Sequence, residues 1–195
     1  MWNASFGYML KGGDHGWEPS TTLWELWDAD RQGPSMNSRN HIMFGSVGAW
    51  FYRKLLGVTP LTPGYATISI RPSGVGHPSL PHASTNVATP RGDVRLRMEA
   101  NSTFLALHVS VPCGATAVVA LRIPRAISTL MGSKSFDFGD NVRVTEGRRV
   151  VWCMHKFVAG VEGVNTGKLS ADGTHIELDV ASGSYEFRVT RSVHC

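Results

Sequence analysis

The spacing of apolar residues along the chain changes from helical to alternating close to residue 60. Over residues 2–11, and again over residues 41–56, apolar side chains recur every three or four positions, which is the period of an amphipathic helix. The second helix is expected to end at Gly57 because glycine readily adopts the backbone conformation that stops a helix. One stripe of its side chains is expected to be buried, namely Phe44, Val47, Phe51 and Leu55.

Beyond residue 65 apolar residues occupy every second position, which is typical of half-buried β-strands. The runs are Ile68 and Ile70; Val94, Leu96 and Met98; Leu105, Leu107, Val109 and Val111; Ile176, Leu178 and Val180; Tyr185, Phe187 and Val189. Between the last runs, Asp172-Gly173 and Ser182-Gly183 are predicted to form hairpin turns. Short alternating strands without helical patterns between them predict an antiparallel β-sandwich. Trp152 is expected to fill its core.

Proline and glycine are concentrated in residues 57–64, between the helical and the alternating part. Such connections commonly separate domains. We therefore predict two domains, residues 1–59 and residues 60–195. The predicted fold class is mainly β with N-terminal helices.

Composition and charge exclude several kinds of protein. With 42% apolar and 17% charged residues, the chain is expected to be ordered and globular. Its net charge of +4 comes from scattered arginines without a run of basic residues, so nucleic-acid binding is not predicted. No apolar run reaches the length of a membrane span, and the N-terminus lacks the pattern of a signal peptide. We predict no membrane partner.

The cysteines and acidic residues suggest neither a disulfide framework nor a metal site. The three cysteines, Cys113, Cys153 and Cys195, are widely and irregularly spaced, so free thiols are expected, with one Cys113–Cys153 bridge left open. Asp14, His15 and Glu18 match no ordinary ligand spacing and are expected to lie in a solvated loop. No metal and no cofactor are predicted.

The candidate chemistry lies in residues 21–28, where Glu25 stands between Trp24 and Trp27. Indole faces can stack on a sugar ring, and a carboxylate beside them can accept a proton from water. In an extended segment Glu25 would lie on the same side as Trp27. The alternative is that both tryptophans belong to the core and that Glu25 is a solvated or salt-bridged acid. His41, at the first turn of the second helix, is expected to be neutral because a helix N-terminus disfavours a cation.

Several sequence blocks together resemble the C-terminal end of bacterial-type α-L-rhamnosidases, which are inverting glycoside hydrolases. The order and spacing of the blocks carry the resemblance, which covers nearly the whole chain. They are FGYM at 6–9, TTLWELWD at 21–28, SRNH at 38–41, FGSVGAWFY at 44–52, PGY at 63–65, ISIRP at 68–72, TPRG at 89–92 and SGSYEF at 182–187.

The resemblance implies the terminal fragment of an (α/α)6 barrel, the catalytic domain, followed by a C-terminal β-sandwich. It implies that Glu25 is the general base and that His41 contacts rhamnose on a rhamnosylated glycan or glycoside. Asn40, Trp24 and Trp27 match positions around the sugar pocket. The family's general acid lies in earlier barrel helices, so this chain is expected to be inactive alone and to need the barrel portion as partner. The alternative is a non-catalytic β-sandwich module that binds carbohydrate or another protein.

Overall fold

The computed structural model describes residues 5–13, 18–32, 38–73, 80–101, 103–123 and 141–192. It divides the chain into two compact units, Met1–Trp50 and Phe51–Cys195. The first described helix of this unit is α1, Phe6–Leu10. Ser5 caps its N-terminus, because the Ser5 hydroxyl accepts a hydrogen bond from the backbone amide of Tyr8 at 3.1 Å. The beginning of the helix predicted over residues 2–11 lies outside the described residues.

Three short helical segments of different type take the place of the single helix predicted over residues 41–56. They are a 3₁₀-helix at Ile42–Ser46, helix α2 at Val47–Trp50 and a π-helix at Phe51–Leu55. The predicted buried stripe is wrong, since Phe51 is 45% exposed and its other members are only half-buried. The reason is geometric: the three helix types differ in residues per turn, so a spacing suited to an α-helix does not stay on one side.

The second unit contains two β-sheets. The five-stranded sheet has the order β1-β2-β6-β11-β10, and the seven-stranded sheet has the order β3-β4-β5-β12-β7-β8-β9. The strands formed by the described residues are β1 Val58–Pro60, β2 Thr67–Ile70, β3 His82–Thr89, β4 Gly92–Ala100, β5 Phe104–Val111, β6 Thr116–Arg122, β7 Val142–Glu146, β8 Arg149–Cys153, β9 Lys156–Phe157, β10 Val164–Leu169, β11 His175–Val180 and β12 Gly183–Arg191.

One of the two predicted hairpin turns is confirmed. Asp172-Gly173 joins the antiparallel neighbours β10 and β11, and Gly173 has the positive φ of 65° that such a turn favours. Ser182-Gly183 is not a hairpin turn, because β11 and β12 lie in different sheets and the chain crosses between them here. The sheets are also not wholly antiparallel, since β2 pairs with β6 in parallel.

One hydrophobic core joins the inner faces of both sheets, which confirms the predicted sandwich. Ile68 and Ile70 from the smaller sheet and Phe187 from the larger one are all 0% exposed. Trp152, at 4% exposure, belongs to the same core as predicted. The alternating spacing was informative because one face of every strand is buried. The predicted division between residues 59 and 60 falls inside β1.

The thiol expectation is only partly correct. Cys113 is a free, exposed thiol, so a Cys113–Cys153 bridge is not formed. Cys153 is 5% exposed and is not a free thiol. Among the described residues no helix is long and apolar enough to cross a membrane, and no cluster of three or more metal-ligand side chains occurs. Asp14 and His15 lie outside the described residues.

Candidate functional site

Backbone pairing places the glutamate motif beside the histidine motif. The amide of Glu25 donates to the Ser38 carbonyl at 2.8 Å, and the amide of His41 donates to the Leu23 carbonyl at 2.8 Å. The Thr22 hydroxyl closes the same ladder by donating to the carbonyl of Arg39. Residues 22–25 therefore run alongside residues 38–41, which brings the two predicted site residues into one small structure.

The Glu25 carboxylate is half-buried and held by the backbone. Its Oε2 atom accepts a hydrogen bond from the Ser38 amide at 3.0 Å. A carboxylate has about four acceptor positions, so this bond leaves capacity for a water molecule or a sugar hydroxyl. The chain bends at Glu25 and then turns through residues 27–31, so the segment is not extended as expected. Alternation of sides therefore does not apply beyond Glu25.

His41 caps the 3₁₀-helix that follows it. Its Nδ1 atom accepts a hydrogen bond from the Met43 amide at 3.3 Å. In this geometry Nδ1 is an acceptor, so the neutral ring carries its proton on Nε2. The imidazole thus offers one N–H donor, while its acceptor is used within its own helix. Asn40, beside it, is exposed, and its backbone N–H donates to the Ser38 hydroxyl at 3.2 Å.

The two tryptophans have different surroundings. Trp24 is 3% exposed and packs in a small core with Tyr8, Met9 and Ala29. For Trp24 this agrees with the alternative interpretation, in which the tryptophans belong to the core. Trp27 is half-buried and stacks on Phe44, with ring centroids 4.1 Å apart and planes inclined by 28°. Phe6 meets Trp27 edge-on at 5.1 Å. The indole of Trp27 is therefore fixed in an aromatic cluster, defined here as Phe6, Trp27 and Phe44.

Sequence analysis did not single out Asp30, which is only 6% exposed. The Tyr8 hydroxyl donates to Asp30 Oδ2 at 2.7 Å, and Arg31 Nε donates to the same hydroxyl at 3.2 Å. Burial raises the pKa of Tyr8, and the hydrogen bond to Asp30 adds to the rise. Asp30 also packs closely against Gly13, where an added Cβ would lie 2.1 Å from Asp30 Oδ2, and no pattern in the sequence indicates this contact. These contacts fasten α1 to the turn after Glu25.

Comparison with known families separates the chain at the end of the helical segments. Residues 3–55 match the bacterial alpha-L-rhamnosidase 6 hairpin glycosidase domain. Residues 57–133 match the bacterial alpha-L-rhamnosidase C-terminal domain. The paired segments that hold Glu25 and His41 therefore fall within the match to the glycosidase domain.

Two curated relatives are named alpha-L-rhamnosidase. The protein from Formosa agariphila is 31% identical over 135 residues, which is 67% of this chain and 14% of the relative. The protein from Streptomyces avermitilis is 38% identical over 120 residues, which is 59% of this chain and 11% of the relative. The chain therefore spans about one seventh of the length of these relatives or less.

Solved structures show the same relationship in three dimensions. The alpha-L-rhamnosidase from Dictyoglumus thermophilum is 30% identical, with a TM-score of 0.68, and the match covers 96% of this chain and 17% of that one. The Streptomyces avermitilis alpha-L-rhamnosidase, solved in complex with L-rhamnose, is 30% identical with a TM-score of 0.63, and the match covers 96% of this chain and 15% of that one.

Proposed function

Because this chain belongs to the bacterial α-L-rhamnosidase family, we propose that it supplies the general base and part of the sugar pocket of an inverting α-L-rhamnosidase. The observation that carries the proposal is the backbone ladder that holds the Glu25 carboxylate beside the His41 segment. This ladder lies within the glycosidase-domain match. The functional division is proposed close to residue 59, with the catalytic elements before it and the sandwich after it.

In the proposed reaction Glu25 removes a proton from a water molecule. The water oxygen attacks the anomeric carbon while the bond to the leaving oxygen breaks on the opposite face, so the configuration inverts. The leaving oxygen takes its proton from a second carboxyl group, which in inverting enzymes lies about 6.5–9.5 Å from the base. This acid is proposed to belong to the barrel portion, so the chain alone is inactive.

The surrounding residues are proposed to place the sugar on this base. The Nε2–H of His41 donates to a rhamnose hydroxyl, and the side-chain amide of the exposed Asn40 binds a neighbouring hydroxyl. Trp27 forms a wall of the pocket, supported from behind by Phe44. Trp24, buried beneath the motif, acts through packing that keeps Glu25 in position. The substrate is a terminal α-L-rhamnosyl group on a glycan or glycoside.

The test is complementation with the upstream part of the Streptomyces avermitilis relative, assayed on an aryl α-L-rhamnoside. We expect no turnover by the chain alone and measurable turnover by the mixture, with β-L-rhamnose as the first product in a proton NMR time course. Glu25→Gln removes the base and should lower kcat by about 10²–10⁴-fold. Glu18→Gln, an equal change at an exposed acid, is the control and should have no effect. Equal activity of Glu25→Gln and the unmodified chain would exclude the proposed role.

A further inference from the structure

A cavity of about 540 Å³ in the β-sandwich unit is lined by basic side chains. The cations are Arg53 and Lys54 from the π-helix, Arg71 just after β2, and Arg122 at the end of β6. His175, the first residue of β11, joins them. Four hydroxyl side chains also line the cavity, and no acidic residue does so among the described residues. The cavity thus combines positive charge with neutral hydrogen-bonding groups.

The positive charge of this cavity is only partly balanced. Arg71 donates to Glu177 at 3.0 Å and reaches Asp172 at 3.4 Å, and Glu177 is shared with Lys168 at 3.7 Å. By contrast, Arg53, Lys54 and Arg122 have no carboxylate at ion-pair distance within the described part of the chain. Three cationic side chains therefore line one cavity, and no carboxylate among the described residues forms an ion pair with them. Such an arrangement attracts an anion.

The groups around the cavity are held by the fold. The Arg71 amide donates to the Gly57 carbonyl at 2.9 Å, and a Cβ added at Gly57 would lie 2.0 Å from the Arg71 carbonyl oxygen. Arg122 Nη1 donates to the Ser73 carbonyl at 3.3 Å. These contacts fix the backbone of Arg71 beside Gly57 and the guanidinium group of Arg122 beside Ser73. The cavity is therefore preformed, which lowers the entropic cost of binding.

The imidazole of His175 is also oriented. Its Nδ1 atom accepts from Arg71 Nη2 at 3.0 Å, and the Thr174 hydroxyl lies 2.6 Å from the same nitrogen. With Nδ1 occupied as an acceptor, the ring carries its proton on Nε2 and offers a neutral N–H donor. A hydrogen-bond donor beside three cations adds directional recognition to the positive field.

We propose that this cavity binds the oxyanion of an acidic oligosaccharide, either the carboxylate of a uronic acid or a sulfate ester. Guanidinium groups match both oxyanions because two parallel N–H donors can bind two oxygens. The cavity falls within the range of roughly 300–1,000 Å³ usual for small-molecule sites, so it has room for a sugar ring beside the charged group. Hydroxyls such as those of Thr59 and Ser69 suit the remaining sugar hydroxyls. The proposal does not depend on catalysis by Glu25.

The experiment is calorimetric titration of the full 195-residue chain at low salt. The probes are a trisaccharide of galacturonic acid, a sulfated galactotriose, neutral galactotriose and inorganic sulfate. We expect at least one acidic trisaccharide to bind more tightly than both inorganic sulfate and the neutral sugar. Absence of binding by both acidic sugars, equal binding of the neutral one, or inorganic sulfate binding as tightly as the sugars would overturn the proposal.

Charge-matched variants locate the binding site. Arg122→Gln and Arg53→Gln should each weaken binding of the acidic trisaccharide by about tenfold or more, since each removes a charged donor. Arg191→Gln, at an exposed residue of β12 outside the cavity, makes the same charge change and should leave the Kd unchanged. Equal weakening by all three variants would show a general charge effect and overturn the assignment. The outcome is independent of the complementation assay, which reports only on Glu25 and the barrel.

Discussion

Glu25 and Ser38 are joined by two reciprocal hydrogen bonds: the Ser38 amide donates to Glu25 Oε2 at 3.0 Å, and the Glu25 amide donates to the Ser38 carbonyl at 2.8 Å. The same carboxylate that is proposed to activate water therefore also fastens the segment that carries Asn40 and His41. A change at Glu25 can affect chemistry and loop structure at once. The two effects can be separated by comparing a substitution at Glu25 that keeps an acceptor oxygen with one that removes it.

Amide hydrogen exchange at Ser38 measures the structural part of this dual role. Glu25→Ala removes the acceptor, so exchange of the Ser38 amide should become faster by about fivefold, equivalent to about 1 kcal/mol. Glu25→Gln retains an acceptor oxygen and should keep most of the protection. If both variants exchanged at the rate of the unmodified chain, the side-chain bond would contribute nothing to holding the ladder.

Stacking between Trp27 and Phe44 should contribute to the stability of the N-terminal unit. Aromatic pairs in contact contribute about 0.5–1.5 kcal/mol beyond the area they bury. Trp27→Leu, Phe44→Leu and the double variant form a cycle whose coupling energy can be measured by urea unfolding. Trp27→Leu combined with Leu10→Ala is the control, because Leu10 is 64% exposed, and its coupling should be close to zero. Equal coupling in both cycles would contradict a specific stacking contribution.

The strands and the location of the helical segments were predictable from sequence, whereas the type of each segment after residue 41 was not. Burial of one sheet face fixes a period of two, so Val94, Leu96 and Met98 revealed β4 directly. Over residues 42–55 the hydrogen-bonding pattern changes twice, so a single period described none of it well. Ser182-Gly183 was misinterpreted because a turn dipeptide does not reveal whether the next strand returns to the same sheet.

The candidate site was predictable only in part. Resemblance to a known family drew attention to Glu25 and His41, whereas the ladder that pairs them depends on hydrogen bonds between segments 13 or more residues apart. The chain bends at Glu25, so the alternation that would place Trp27 on the same side does not hold, and sequence alternation cannot show a bend. The basic cavity was equally hidden, because Arg71 and His175 meet only through the sheet order β2-β6-β11. Residues distant in sequence become neighbours through topology.

Two glycines with positive φ should respond differently to alanine. At Gly57 an added Cβ would lie 2.0 Å from the backbone carbonyl of Arg71, and φ is +69°. At Gly64 φ is +65°, but nothing lies within 4 Å of the added Cβ. Gly64→Ala should therefore cost only the left-handed backbone strain, about 1–2 kcal/mol. Gly57→Ala adds a clash with backbone and should cost at least about 3 kcal/mol in urea unfolding. Similar costs for both variants would contradict the close approach of Gly57 to Arg71.

His175 should make the sandwich less stable as the pH falls. Burial, together with the positive charge of Arg71, lowers the pKa of His175 from 6.5 to about 4. Arg122 acts in the same direction, whereas Asp172 and Glu177 oppose it. The unfolded chain therefore binds a proton at this residue near pH 6.5, while the folded chain binds it only near pH 4. Between these values the unfolded state holds more protons, so the free energy of unfolding must fall as pH falls.

Urea unfolding between pH 7 and pH 4.5 measures this loss, which should be about 1 kcal/mol once solvent screening of the half-exposed ring is allowed for. His175→Gln removes the titrating ring and should flatten the pH dependence by the same amount. Asp172 does not produce this slope, because hydrogen bonds from Ser170 and Thr174 hold its pKa well below the usual range and its contribution disappears only under more acidic conditions. An unchanged slope in His175→Gln, or an NMR titration of His175 centred near 6.5, would contradict burial of a neutral imidazole against Arg71.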